Sequence, residues 1–153
     1  MTTRIKNQDV FHLLIGRTPQ NMNRFFSYNL KVAGVPLTRE QWSVMAVLWK
    51  TDGCTQQMLA DATYRGRAGI TRLIDNLEKE GYVERKADPN DRRSNLIFLT
   101  SKGKEIQEDV VSVLNETVSA ITKDISDKDI RQLSETLSHI NSNILELELD
   151  LIS

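Results

Sequence analysis

The 153-residue chain has one cysteine, two histidines, three prolines and no long apolar run. Each scarcity removes a class of protein. A single thiol, Cys54, cannot close an internal disulfide, so nothing points to an oxidising compartment. His12 and His139 lie far apart in sequence, and with one cysteine they offer no metal-ligand spacing, so neither a metal nor a cofactor is expected. No apolar stretch approaches the roughly 20 residues that cross a bilayer, and no basic–apolar–small signal opens the chain. A cytoplasmic protein with no membrane partner is expected. No nucleophile–base pair, glycine-rich phosphate loop or carboxylate cluster stands out, so an enzyme is not expected.

What remains is ordinary soluble composition, 39% apolar and 27% charged, enough for one domain or a small domain with helical extensions. The net charge of −1 hides an asymmetry. Residues 1–63 carry seven Lys/Arg and four Asp/Glu, residues 64–99 eight and six, and residues 100–153 five and eleven. The local net charges are therefore +3, +2 and −6. Near-neutrality argues against a protein that coats nucleic acid indiscriminately but leaves room for binding through a local basic patch.

The stretch Thr55–Leu99 organises the chain. It reads as a short helix capped by Thr55, a turn at Tyr64-Arg65-Gly66, a second helix, and a β-hairpin. In the short helix, Met58, Leu59 and Ala62 are expected to face inward. In the second, Arg67–Gly81, Ile70, Leu73, Ile74 and Leu77 recur at helical spacing, and Gly81 closes it. The strand-like runs YVERK (Tyr82–Lys86) and NLIFL (Asn95–Leu99) are joined by ADPNDRRS, a turn carrying Arg92 and Arg93. A helix with a basic outer face followed by an arginine-tipped hairpin is the working part of a winged helix-turn-helix. The expected fold is therefore mostly α with a small β-hairpin wing, the winged core being flanked by N- and C-terminal dimerisation helices.

Upstream, residues Asp9–Ala33 carry apolar positions at helical spacing, interrupted by Pro19. Either Thr18-Pro19 caps a second segment, or Pro19 kinks one long helix. Thr38-Arg39-Glu40-Gln41 fits a capping box, with Leu37 and Trp42 placed as a hydrophobic staple. Downstream, Thr100-Ser101 starts a helix, and Ser126-Asp127 starts the last one. Its Ile130, Leu133, Leu137, Ile140, Ile144, Leu147 and Leu151 form a heptad seam that a second copy of the chain would cover. The expected divisions are 1–36 (N-terminal dimerisation region), 37–100 (winged DNA-binding domain) and 101–153 (C-terminal dimerisation helices).

Reading duplex DNA needs donors at two depths: base edges near a helix N-terminus, and phosphates around it. Arg67, Gly69, Thr71 and Arg72 suit the first task, with Arg65 and Asn76 flanking them. Gly69 also permits close backbone approach, although a small residue that merely weakens the helix is the plainer alternative. Arg92 and Arg93 suit phosphates or a narrow minor groove. One of the two is expected instead to stiffen the turn by pairing with Asp88 or Asp91.

The run Leu59–Gly103 resembles the winged-helix core of the MarR (multiple-antibiotic-resistance regulator) family. The resemblance is carried by Leu59-Ala60, by Ile70-Thr71-Arg72-Leu73-Ile74-Asp75, by Leu77-Glu78 to Gly81, and by Asp91-Arg92-Arg93 with Leu99-Thr100. It implies a homodimeric transcriptional regulator, usually a repressor relieved by a small-molecule effector or by oxidation, bound to a pseudo-palindromic operator in double-stranded DNA. By that similarity Asp91 and Arg93 occupy the family's Asp-x-Arg wing positions. Arg65 and Gly66 depart from the pattern, standing where relatives often carry an apolar residue and a polar helix cap. Tyr64 is expected to supply the missing apolar contact, leaving Arg65 for phosphate.

Oxidation-sensing relatives place their cysteine in the first helix, so Cys54 reads better as a small buried residue than as a redox switch. An effector pocket is expected between the dimerisation helices and the core. Phe11, His12, Phe26, Trp42, Met45 and Trp49 are candidates for its lining, although core packing suits each one better. The rival to the regulator reading is a protein-interaction module on the same scaffold with weak or lost DNA binding.

Overall fold

In the computed structural model, which describes residues 9, 12–14, 16–91 and 93–152, the elements follow the expected order. They are α1 (Arg17–Val32), α2 (Arg39–Lys50), β1 (Cys54–Thr55), α3 (Gln56–Ala62), α4 (Arg67–Lys79), β2 (Val83–Ala87), β3 (Asn95–Leu99), α5 (Ser101–Ile121) and α6 (Asp127–Ile152). The fold is mostly helical with a small antiparallel sheet. The chain divides into two units, one running through Val118 and the other spanning Ser119–Ser153. Among the described residues no helix is long and apolar enough to cross a membrane.

In the first unit α4 is held by its apolar stripe: Ile70, Ile74 and Leu77 are fully buried, and Leu73 is half-buried. Each such aliphatic side chain contributes about 1.5–3 kcal/mol on leaving water. The capping box of α2 forms as its sequence requires. Thr38 Oγ1 accepts from the Gln41 N–H at 3.2 Å, and Gln41 Oε1 accepts from the Thr38 N–H at 2.9 Å. Gln41 Nε2 also donates to Glu80 Oε2 at 3.0 Å. One buried amide therefore starts α2 and anchors it to the end of α4. Phe26 meets Trp42 edge-on with ring centroids 5.1 Å apart, and Trp49 Nε1 donates to the Gly103 carbonyl at 2.8 Å. Phe26, Trp42, Met45 and Trp49 are thus core residues or pack against the core.

The sheet runs β1-β3-β2. Cys54 pairs with Ile97, and the hairpin pairs Val83 with Leu99 through Ala87 with Asn95. The Asp52 carboxylate, just before β1, accepts from the Leu99 N–H at 2.8 Å and the Gly53 N–H at 3.1 Å. That contact fixes the strand register at the root of the wing. Behind the sheet α5 begins with Thr100, whose hydroxyl accepts from the Gly103 N–H at 3.0 Å and donates to the Gly81 carbonyl at 2.6 Å. Gly103 lies so close to Tyr82 that a Cβ would sit 2.1 Å from the Tyr82 carbonyl oxygen. Farther along, Asn29 Nδ2 donates to Thr117 Oγ1 at 2.9 Å, linking α1 to α5.

Two local expectations are corrected. The helix break near Pro19 falls at Gly16, the cap of α1, and Pro19 sits in the first turn of that helix. A missing N–H costs nothing there, because first-turn donors have no intrahelical acceptor. In α3 the inward residues are Leu59 and Ala60, whereas Met58 is 49% exposed and Ala62 is exposed. With its cap at Thr55, the short helix turns positions 59 and 60 toward the core, which puts 58 and 62 on its flanks. Phe11 and Ile15 lie outside the described residues.

In the second unit α6 is capped by Ser126, whose Oγ accepts from the Asp129 N–H at 3.2 Å and donates to Asp129 Oδ2 at 2.7 Å. Its seam is open: Leu133, Leu137, Ile144, Leu147 and Leu151 are 39–86% exposed.

Candidate nucleic-acid interface

The geometry of the candidate interface is that of a helix, a turn, a second helix and a wing. Thr55 caps α3, its Oγ1 accepting from the Met58 N–H at 3.1 Å. Gly66 caps α4 with extended backbone and no side-chain acceptor, so the first amides of α4 are left to other partners. Outside the buried stripe of α4, Arg67, Ala68, Gly69, Arg72, Asp75, Asn76 and Lys79 are all exposed. Gly69, Arg72 and Asn76 therefore share the solvent side of the helix, and Arg67 stands exposed at its first residue. A Cβ at Gly69 would meet nothing within 4 Å, so no contact inside the chain requires glycine there.

Thr71 is differently placed. Its hydroxyl donates to the Arg67 carbonyl at 2.8 Å and accepts from Gln56 Nε2, and the residue is half-buried. Its donor is committed within the chain, and the Gln56 contact ties α4 to α3. Arg65 is also half-buried, and its Nε is shielded from solvent with no acceptor among the described residues. The expectation that Tyr64 supplies an apolar contact is overturned: Tyr64 is 91% exposed. Its φ of +52° turns the chain so that Tyr64 points out and Arg65 turns in.

In the wing, Asp91 Oδ1 accepts from the Arg93 N–H at 2.9 Å, and Asp88 Oδ1 accepts from the Asn90 N–H at 2.8 Å. The two carboxylates hold the turn through the backbone. Arg93 itself is exposed and forms no ion pair with another described residue. Arg92 lies outside the described residues.

Arg85 escaped the sequence reading, although strand alternation places it on the same side of β2 as buried Val83. It donates to Asp75 Oδ1 at 2.5 Å and to Glu78 Oε2, and its own N–H reaches Glu78 Oε1 at 3.2 Å. Burial works against its charge, but the hydrogen bonds and charges of Asp75 and Glu78 outweigh burial and raise its pKa. Arg85 thus locks the wing to α4. A cavity of about 390 Å³ opens beside it, lined by Arg67, Arg85, Arg93, Gln56, Asn95 and neighbouring residues. A second, open groove is lined by Asp9, His12, Leu13, Arg17 and Thr18.

Cys54 is buried, and its Sγ donates to the Thr51 carbonyl at 3.0 Å. Burial first, and the nearby Asp52 charge second, push its thiol up. Reactive thiols are the opposite, exposed and depressed. Among the described residues no cluster of His, Cys, Asp or Glu could hold a metal ion.

A capped short helix, an outward basic helix and an anchored hairpin wing define a winged helix-turn-helix protein. Residues 37–94 match the model of the MarR family. Most of the chain superposes on solved MarR-family structures. A MarR transcriptional regulator from Methanosarcina mazei Go1 is 24% identical over 92% of this chain and 96% of that one, with a TM-score of 0.78. A MarR-family regulator from Rhodococcus sp. RHA1 is 25% identical over 90% and 96%, also at 0.78. A mutant MarR from E. coli complexed with operator DNA is 23% identical over 87% and 91%, at 0.76. Residues 37–94 thus form a MarR-type winged domain, and the chain shares the fold of MarR-family transcriptional regulators.

Proposed function

We propose that the chain is a cytoplasmic, non-enzymatic repressor that binds a pseudo-palindromic operator in double-stranded DNA as a homodimer. The observation that carries this reading is the outer face of α4. Arg67, Gly69, Arg72 and Asn76 stand exposed on a helix whose other side is fixed by fully buried Ile70, Ile74 and Leu77. Arg67 and Arg72 have the donors to address guanine edges, and Asn76 those to address adenine. Arg65, Arg92 and Arg93 are assigned to phosphate, and Thr71 to positioning α4 against α3. The E. coli relative complexed with operator DNA supports the same use of the fold.

The proposed divisions are 1–36, 37–100 and 101–153, the outer two dimerising through the seam of α6 and the N-terminal region. In such a dimer two α4 helices enter successive major grooves about 34 Å apart. A small-molecule effector completes the reading. An anion seated in the 390 Å³ cavity would engage Arg67 and Arg93, two side chains assigned to DNA, and so compete with it. The test is selection from a random duplex library with the purified protein. Enrichment of a palindromic site is expected, and no enrichment from folded, dimeric protein would overturn the reading.

A further inference from the structure

Three helices of this chain end in the same hydrogen-bonded turn. After α1 the Gly34 N–H reaches the Lys31 carbonyl at 3.1 Å and the Val35 N–H reaches Leu30 at 2.9 Å. After α4 the Gly81 N–H reaches Glu78 at 3.0 Å and the Tyr82 N–H reaches Leu77 at 2.9 Å. After α3 the Tyr64 N–H reaches Asp61 at 3.2 Å and the Arg65 N–H reaches Ala60 at 3.0 Å. All three are Schellman turns, whose pivotal residue adopts a left-handed backbone and whose next residue makes an apolar contact. The pivots have φ of +72°, +80° and +52°.

The first two turns obey both rules, with glycine at the pivot followed by buried Val35 and buried Tyr82. The third breaks both. Its pivot is an aromatic residue in a conformation that crowds any Cβ, and the residue after it is an arginine. The Tyr64 side chain gives the fold nothing in return, being 91% exposed with no hydrogen bond or ring contact to any described residue. The offending turn is also the one that leads into α4, two residues before its cap and three before Arg67.

We propose that Tyr64 is a DNA-contact residue. Its phenol hydroxyl donates to a backbone phosphate beside the groove that α4 enters, and its ring lies against the adjoining sugar. Tyrosine hydroxyls are among the neutral donors that fix a protein's register on a duplex. At this turn the contact sets the depth at which Arg67 and Arg72 enter. The inference rests on the DNA-reading assignment of α4 and adds to it a residue outside that helix and outside the wing.

Three full-length variants test it, with the duplex enriched by the wild-type protein as probe. Tyr64→Gly installs the residue that the pivot prefers, Tyr64→Phe removes only the hydroxyl, and Arg72→Ala is the parallel control. Expected for Tyr64→Gly is a melting temperature that holds or rises, with affinity reduced about a hundredfold, because the homodimer loses one hydrogen bond to a charged acceptor, worth about tenfold, at each of its two heads. Tyr64→Phe should melt with the wild type and lose affinity, with the salt slope unchanged, because a neutral donor releases no counterion. A Tyr64→Gly protein that binds within twofold of wild type, while Arg72→Ala binds weakly, would overturn the role of Tyr64 and leave α4 as the reader. A lower melting temperature for Tyr64→Gly would make Tyr64 a structural residue, overturning it in another way. Failure of the wild type to enrich any duplex removes the reading of α4, and the contact with it.

Discussion

Helices α4 and α6 carry equally regular apolar stripes and meet opposite fates. The stripe of α4 is sealed, with Ile70, Ile74 and Leu77 at 0% exposure, whereas the seam of α6 leaves Leu133 at 54% and Leu147 at 63%. The two helices divide the proposed work. A sealed stripe makes α4 a rigid mount for the side chains on its other face. An open one leaves α6 with apolar area that is worth burying only when another surface arrives. Periodicity says that a face exists; burial says whether this chain already covers it.

The sharpest way to break the contrast is at the sealed face. Ile74→Ala opens a cavity in a closed core and is expected to cost about 2–5 kcal/mol, read as a lowered denaturant midpoint. The same truncation at exposed Leu147 should leave the isolated chain's unfolding within about 0.5 kcal/mol. The seam is tested by charge. Leu133→Glu with Leu137→Glu should convert dimer to monomer in sedimentation and weaken operator binding about 100-fold, as two-headed binding is lost. Persistent dimers would assign the interface elsewhere.

On the exposed face of α4, Arg72→Ala should cost about 1–3 kcal/mol per half-site and relax preference at one base pair in each half. Arg93→Ala should weaken all sequences alike and reduce the salt slope by about two, one phosphate contact being lost from each wing of the dimer. Gly69→Ala separates folding from binding: it should stabilise the helix by up to about 1 kcal/mol. If the backbone there approaches the duplex, affinity falls at the same time. The smallest effect is expected at Cys54. With its pKa raised by burial, the thiol stays protonated at neutral pH, so peroxide should leave DNA affinity the same in wild type and Cys54→Ser.

Much of this was legible before any coordinates. The capping box at Thr38, the stripe of α4 and the caps at Thr55 and Ser126 are local rules written in a few residues each. Three features were not. Met58 and Ala62 were placed by periodicity over a helix of seven residues, too short to fix its own phase. The helix break that the sequence places at Pro19 falls at Gly16 instead. Tyr64 is expected inward because Arg65 stands where relatives often carry an apolar residue, and Tyr64 is the neighbouring side chain able to supply that contact. Only the left-handed backbone at Tyr64 reverses that order, and no side-chain preference announces a left-handed tyrosine. Arg85 was legible in principle through strand alternation, but its partners on α4 depend on how the wing docks.

The central claim is that the outer face of α4 reads DNA, and it is tested most directly by fluorescence anisotropy on the selected duplex and a scrambled one across a salt series. The account predicts affinity for both that falls steeply with salt, and a preference for the selected duplex of about a thousandfold or more. Arg72→Ala should erode that preference. Equal binding to both duplexes, unchanged by Arg72→Ala, would contradict it and leave the winged scaffold as an interaction module.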